Sequence, residues 1–188
     1  MKKLLLFFAL LASGFAALAQ TITFTRDWTL LYGSSSLITR PAVNPTSLNG
    51  NQSLAYNSTT DRIYLVDRES HINILNTDKT IYTAKPTLTI GTVAGSPWSD
   101  AYRFNKIRVA ADGAIYAIAL RLTAGDLFVY RWASESDTEP TRTPVAVPGR
   151  SGDSFAVYGT GDNTRLYFGG SGNSTMTVAA VSGGAVSK

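Results

Sequence analysis

The chain has 188 residues with no cysteine, one histidine, 16 glycines, and 17 basic against 13 acidic side chains. Without a thiol it holds no disulfide, thiolate-zinc centre, Cys-ligated iron–sulfur cluster or cysteine nucleophile of its own, and one imidazole excludes a His-rich metal site. The length suits one ordinary domain with an apolar core and excludes a large multidomain enzyme.

Lys2 and Lys3 open the chain, residues 4–11 form an apolar run, and Ala17-Leu18-Ala19 gives a small-x-small pattern before Gln20. That three-part order predicts an export signal over residues 1–19, cleaved after Ala19, and a folded domain over residues 20–188. The apolar stretch 4–19 is 16 residues with Ser13 and Gly14 inside it, short of the roughly 20 that cross a bilayer. No second long apolar run follows, so the expected location is secreted or periplasmic, with no membrane association once the signal is gone. Loss of Lys2 and Lys3 leaves 15 basic against 13 acidic residues, a net charge of +2. The arginines, Arg62, Arg108, Arg131 and Arg165 among them, are scattered rather than gathered in a stripe with aromatic rings, which argues against a nucleic-acid partner.

Residues 21–25 and 28–32 could supply one or two strands. From there three stretches align: residues 54–66, 107–118 and 155–168. Each has a short apolar strand, a polar turn containing Asp, and an aliphatic–tyrosine pair opening a second strand. The pairs are Ile63-Tyr64, Ile115-Tyr116 and Leu166-Tyr167, spaced 52 and 51 residues apart. A third strand follows each pair, at 72–75, 127–132 and 176–180. Outer strands are expected at 80–82 and 88–90 in the first repeat and at 143–147 in the second, where Pro140, Pro144 and Pro148 suit an edge that can spare amide donors. Residues 134–139 read as an exposed connection. The third repeat is expected to stop after its third strand.

Both faces of the second strands are apolar, so neither is built for water, and each small sheet needs a neighbour on either side. A period near 50 residues carrying three or four short strands predicts an all-β fold, an incomplete or truncated β-propeller-like stack of about three blades, with a β-sandwich as the alternative. Asp112-Gly113 reads as a tight hairpin turn, and residues 159–163, with Asp162 and Asn163, as a second turn tolerant of positive φ. An open terminal face, with Leu166, Phe168, Met176 and Val178 on it, predicts self-association.

A resemblance adds to this. Leu54-Ala55-Tyr56-Asn57, Asp112-Gly113-Ala114-Ile115-Tyr116-Ala117, Tyr130-Arg131-Trp132 and Gly149-Arg150-Ser151-Gly152-Asp153-Ser154 are similar to segments of a family of secreted, uncharacterised bacterial proteins with a propeller-like domain. The resemblance covers residues 54–174, implies that fold and an exported location, and carries no catalytic residue to transfer.

Tyr130, Arg131, Trp132, Arg150 and Asp153 form the one cluster that suggests ligand binding, since aromatic rings beside a bidentate arginine suit a glycan or a peptide. The competing role is structural, with Trp132 packed between sheets and Arg150 pinned to Asp153. His71 reads as a surface-turn residue, and no Gly-x-Ser-x-Gly elbow accompanies it. Asp153 and Asp162 lack the Asp-x-Asp-x-Asp-Gly spacing of a calcium loop, so neither a metal nor a cofactor is expected. The expected function is a noncatalytic binding or structural module for an unidentified glycan or cell-envelope protein. A glycan-processing enzyme working through Asp residues is the alternative, since two converging carboxylates would be enough for that chemistry.

Overall fold

The computed structural model describes residues 53–66, 72–78, 87–88 and 102–188. The export signal expected at 1–19, the strands expected at 21–32 and 80–82, residues 89–90 of the strand expected at 88–90, and His71 lie outside the described residues. Among the described residues twelve strands make three four-stranded antiparallel sheets, each a simple meander. The first sheet holds β1 (Ser53–Asn57), β2 (Arg62–Val66), β3 (Ile72–Asn76) and β4 (Thr87–Leu88). The middle sheet holds β5 (Tyr102–Val109), β6 (Ile115–Leu120), β7 (Gly125–Trp132) and β8 (Thr141–Val147). The third holds β9 (Ser154–Tyr158), β10 (Arg165–Gly169), β11 (Thr177–Ser182) and β12 (Ala185–Ser187). None of the sheets closes on itself, and no helix among the described residues is long and apolar enough to cross a membrane.

Strand periodicity explains how the sheets pack. Alternate residues of a strand point to opposite faces, and β6 is buried at all six positions because both faces are covered. Ile115 and Ala117 join Tyr64, Val66, Ile72 and Ile74 in a core shared with the first sheet. Tyr116 and Ile118 join Leu166, Phe168, Ala179 and Val181 in a core shared with the third. Strand β7 divides the same way, with Tyr130 and Trp132 toward the first sheet and Leu127 and Val129 toward the third. Pro144 stands opposite Phe128 in β8, an edge strand of its sheet, where proline is tolerated.

The turns tie neighbouring sheets together at one end. Gly113 has φ +88° and its amide donates to the Ala110 carbonyl at 3.0 Å, closing the β5–β6 hairpin. Asn57 Nδ2 donates to the Gly113 carbonyl at 3.2 Å from the first sheet, and the Gly161 amide donates to Asp112 Oδ2 at 2.7 Å from the third. Asp162 and Asn163 end a short 3₁₀ turn over Gly161–Asn163, where Asp162 Oδ1 accepts the Gly183 amide at 2.8 Å.

Three sequence expectations need correction. The third repeat does not stop at its third strand: Gly183 and Gly184, with φ of +56° and +79°, form a two-residue hairpin turn, and β12 returns along β11 with Val186 buried. Leu166 and Phe168 are not on an open face, since they point into the middle sheet, whereas Met176 and Val178 are exposed. Residues 134–139 are more than an exposed connection, because the Glu135 carboxylate reaches back to the first sheet and accepts the Tyr64 hydroxyl and, at 2.8 Å, Thr60 Oγ1. Burial and that carboxylate push the Tyr64 hydroxyl pKa well above its ordinary value.

Candidate functional site

The first strand of each sheet is an edge of that sheet, and the three edges gather, with β5 lying against both β1 and β9. Ser53 fastens the first contact: its Oγ accepts the Ile107 amide at 3.2 Å and Arg108 Nη1 at 3.3 Å. On the other side buried Asn105 donates through Nδ2 to the Gly152 carbonyl at 2.7 Å. A pocket of about 590 Å³ opens along this seam. It is lined by Ser53 and Leu54 of β1, Leu65 of β2, Lys106 and Arg108 of β5, and Asp153, Ser154 and Phe155 at the start of the third sheet.

The chemistry of the pocket is set by its two cations and one carboxylate. Asp153 is already engaged: Arg150 grips it in fork geometry, Nε to Oδ2 at 2.6 Å and Nη2 to Oδ1 at 2.7 Å, and the Ser171 amide adds a third donor at 2.9 Å. The Arg150 hydrogen bonds hold the Asp153 carboxyl below its usual range despite partial desolvation, with smaller contributions from the Ser171 amide and the charges of Arg150 and Lys106. Such a group stays ionised and does not serve as a proton donor near neutral pH. Its charge is largely spent on Arg150, so Lys106 and Arg108 set the sign of the pocket. Arg108 Nη1 is held by Ser53 Oγ and, at 2.6 Å, by the Ile107 carbonyl, which fixes the guanidinium at the pocket wall.

The five residues singled out from sequence do not converge. Tyr130 and Trp132 are fully buried and pack with Phe104, whose ring meets Tyr130 edge-on at 5.0 Å. Arg131 projects from the opposite face of the strand, donating through Nε to the Tyr116 hydroxyl at 3.1 Å with its guanidinium 5.9 Å from that ring. Arg150 and Asp153 lie in the loop that enters the third sheet, and of the five only Asp153 lines the pocket. The turn residues Asp112, Gly113, Asp162 and Asn163 sit in the hairpin turns described above. Among the described residues no three His, Asp or Glu side chains are grouped to hold a metal ion.

Sequence reasoning missed Ser53, Lys106 and Arg108. One signal was present: Ser53-Leu54, Lys106-Ile107 and Ser154-Phe155 are polar–apolar pairs in equivalent first strands. Comparison with protein-family models, with curated proteins and with solved structures finds no match to this chain.

Proposed function

We propose that the chain is an exported, noncatalytic binding module whose three sheets are consecutive blades of an incomplete propeller, and that the pocket at the seam of their first strands takes an acidic surface glycan. Two features favour blades over a two-layer sandwich. A sandwich leaves each sheet one solvent face, whereas the middle sheet is covered on both. The first strands of all three meanders also lie on one side of the molecule, where blades around an axis bring their inner strands. The leader pattern at residues 1–19 supports export.

The observation that carries the binding reading is the charge of the pocket. Lys106 and Arg108 line it, while its carboxylate is already neutralised by Arg150. A uronic-acid carboxylate would meet two cations there. Catalysis by Asp153 as a proton donor is disfavoured by the same ion pair.

Isothermal titration of the full chain against matched uronic-acid and neutral oligosaccharides tests the reading. Binding is expected for the acidic set, and Lys106→Glu should weaken it about tenfold or more. Equal affinity for the neutral set, or affinity untouched by Lys106→Glu, removes the pocket from consideration.

A further inference from the structure

The aliphatic–tyrosine pair that opens each second strand splits between the two faces of its sheet. In the first sheet Tyr64 packs on the middle sheet, so Ile63 lies on the opposite face. In the middle sheet Ile115 packs back on the first sheet and Tyr116 forward on the third. In the third sheet Leu166 packs back on the middle one, which leaves Tyr167 facing outward. Each junction in the chain therefore mates the tyrosine face of one sheet with the aliphatic face of the next.

Among the described sheets two faces are left unmated by that rule. The aliphatic face of the first sheet carries Leu54 and Tyr56, 62% and 53% exposed. The tyrosine face of the third carries Tyr158, Met176 and Val178, 75%, 60% and 43% exposed, beside Tyr167. These are large side chains in adjacent strands, the kind of contiguous apolar surface that marks an interaction site. Register places Tyr167 between Ala156 and Val178, so the patch runs unbroken across β9, β10 and β11.

We propose that these two faces mate between two copies of the chain, the third sheet of each receiving the first sheet of the other. The proposal rests on the blade reading above. It extends the junction found twice within the chain, tyrosine face against aliphatic face, to a third and a fourth instance. A two-fold axis makes the two new junctions identical and leaves no sheet face over, which an open filament does not achieve.

Light scattering coupled to size-exclusion chromatography of the full chain reads the mass directly, and a charge-swap pair reads the faces. Val178→Lys and Leu54→Glu each alter an exposed side chain, so an unchanged circular dichroism spectrum and a cooperative thermal transition establish that both variants fold, with the midpoint lowered only by the loss of association. Wild type is expected at twice the chain mass. Each variant alone should run as a monomer, because each damages both junctions. Their equimolar mixture should recover the dimer, since one junction is then native and the other pairs Lys with Glu. A wild-type monomer, a mass that grows without limit as concentration rises, or a Leu54→Glu variant that stays dimeric each overturns the proposal, the last by showing that tyrosine faces meet each other. Titration with the acidic oligosaccharide on the same samples separates the two readings. A wild-type monomer that binds overturns the dimer alone, and a wild-type dimer that does not bind overturns the pocket alone.

Discussion

The second strands of the middle and third sheets begin with the same pair of residue types, yet they live in different surroundings. In β6, Ile115 and Tyr116 are both fully buried, whereas in β10 Leu166 is fully buried and Tyr167 is only half-buried. Nothing in the two local sequences accounts for this. Tyr116 is covered by Leu166, Phe168 and their neighbours from the following sheet, and among the described residues no further sheet covers Tyr167. Burial here is a property of position in the series of sheets, and the repeat writes the same two-faced strand wherever that strand falls.

The comparison is broken most severely by truncating its tyrosines. Tyr116→Ala should cost about 3–5 kcal/mol, the usual loss for an aromatic ring removed from a packed core. It also deprives Arg131 Nε of its hydroxyl acceptor at 3.1 Å. Tyr167→Ala, measured at protein concentrations too low for association, should cost about 1 kcal/mol or less. Urea unfolding of the two variants reads the difference, and similar losses at both positions would show that the outer face of the third sheet is covered in solution.

A smaller break concerns the turns rather than the faces. Gly113→Val puts a branched side chain at φ +88°, with Thr59 Oγ1 of the neighbouring sheet 3.3 Å from the new Cβ. Strain at such a position costs about 1–3 kcal/mol. Gly172 in the third sheet has φ +82° but open space around it, so Gly172→Val tests backbone strain without the inter-sheet contact. Thermal unfolding should place Gly113→Val below Gly172→Val, and the reverse order would mean that the Asn57–Gly113–Asp112–Gly161 turn contacts contribute nothing to holding the sheets together.

The signals legible in sequence were those that repeat or act locally. The 51 to 52 residue spacing, the Ile-Tyr pairs and the Asp112-Gly113 turn place the second strands and the middle hairpin, and alternation then fixes which side chains share a face. The fourth strand of the third sheet was missed because Val186 is a lone buried residue in a short polar tail. The turn that returns it, Gly183-Gly184, carried the signal, since two consecutive positive-φ residues are what a tight hairpin requires. Glu135 was missed for another reason: its partner Tyr64 is 71 residues away, and no local pattern marks a carboxylate that leaves its loop to receive a hydroxyl from another sheet. The pocket is the extreme case. Lys106 and Arg108 look like ordinary strand charges, and they become a site only when the first strands of three repeats are brought to one seam.

The mildest expected effect is a pH response at that seam. The folded pKa of Asp153 is depressed, chiefly by Arg150, so the ion pair contributes stability above the ordinary aspartate value of about 3.9 and loses it as pH falls through the lower folded value. The pair is partly exposed, with side-chain exposures of 38% for Arg150 and 31% for Asp153, so solvent screening keeps the effect small. Asp153→Asn should flatten the acid limb of a melting-temperature profile below about pH 4 while leaving the neutral region lowered by a few degrees or less. In the middle sheet the hydrogen bond from Arg131 to Tyr116 involves no carboxylate, and removing it by Tyr116→Phe should leave the acid limb unchanged. A matching change in both variants would mean that the acid sensitivity lies elsewhere in the fold, and Asp61, whose carboxyl is also held low by the Thr77 and Tyr56 hydroxyls, is the next group to substitute.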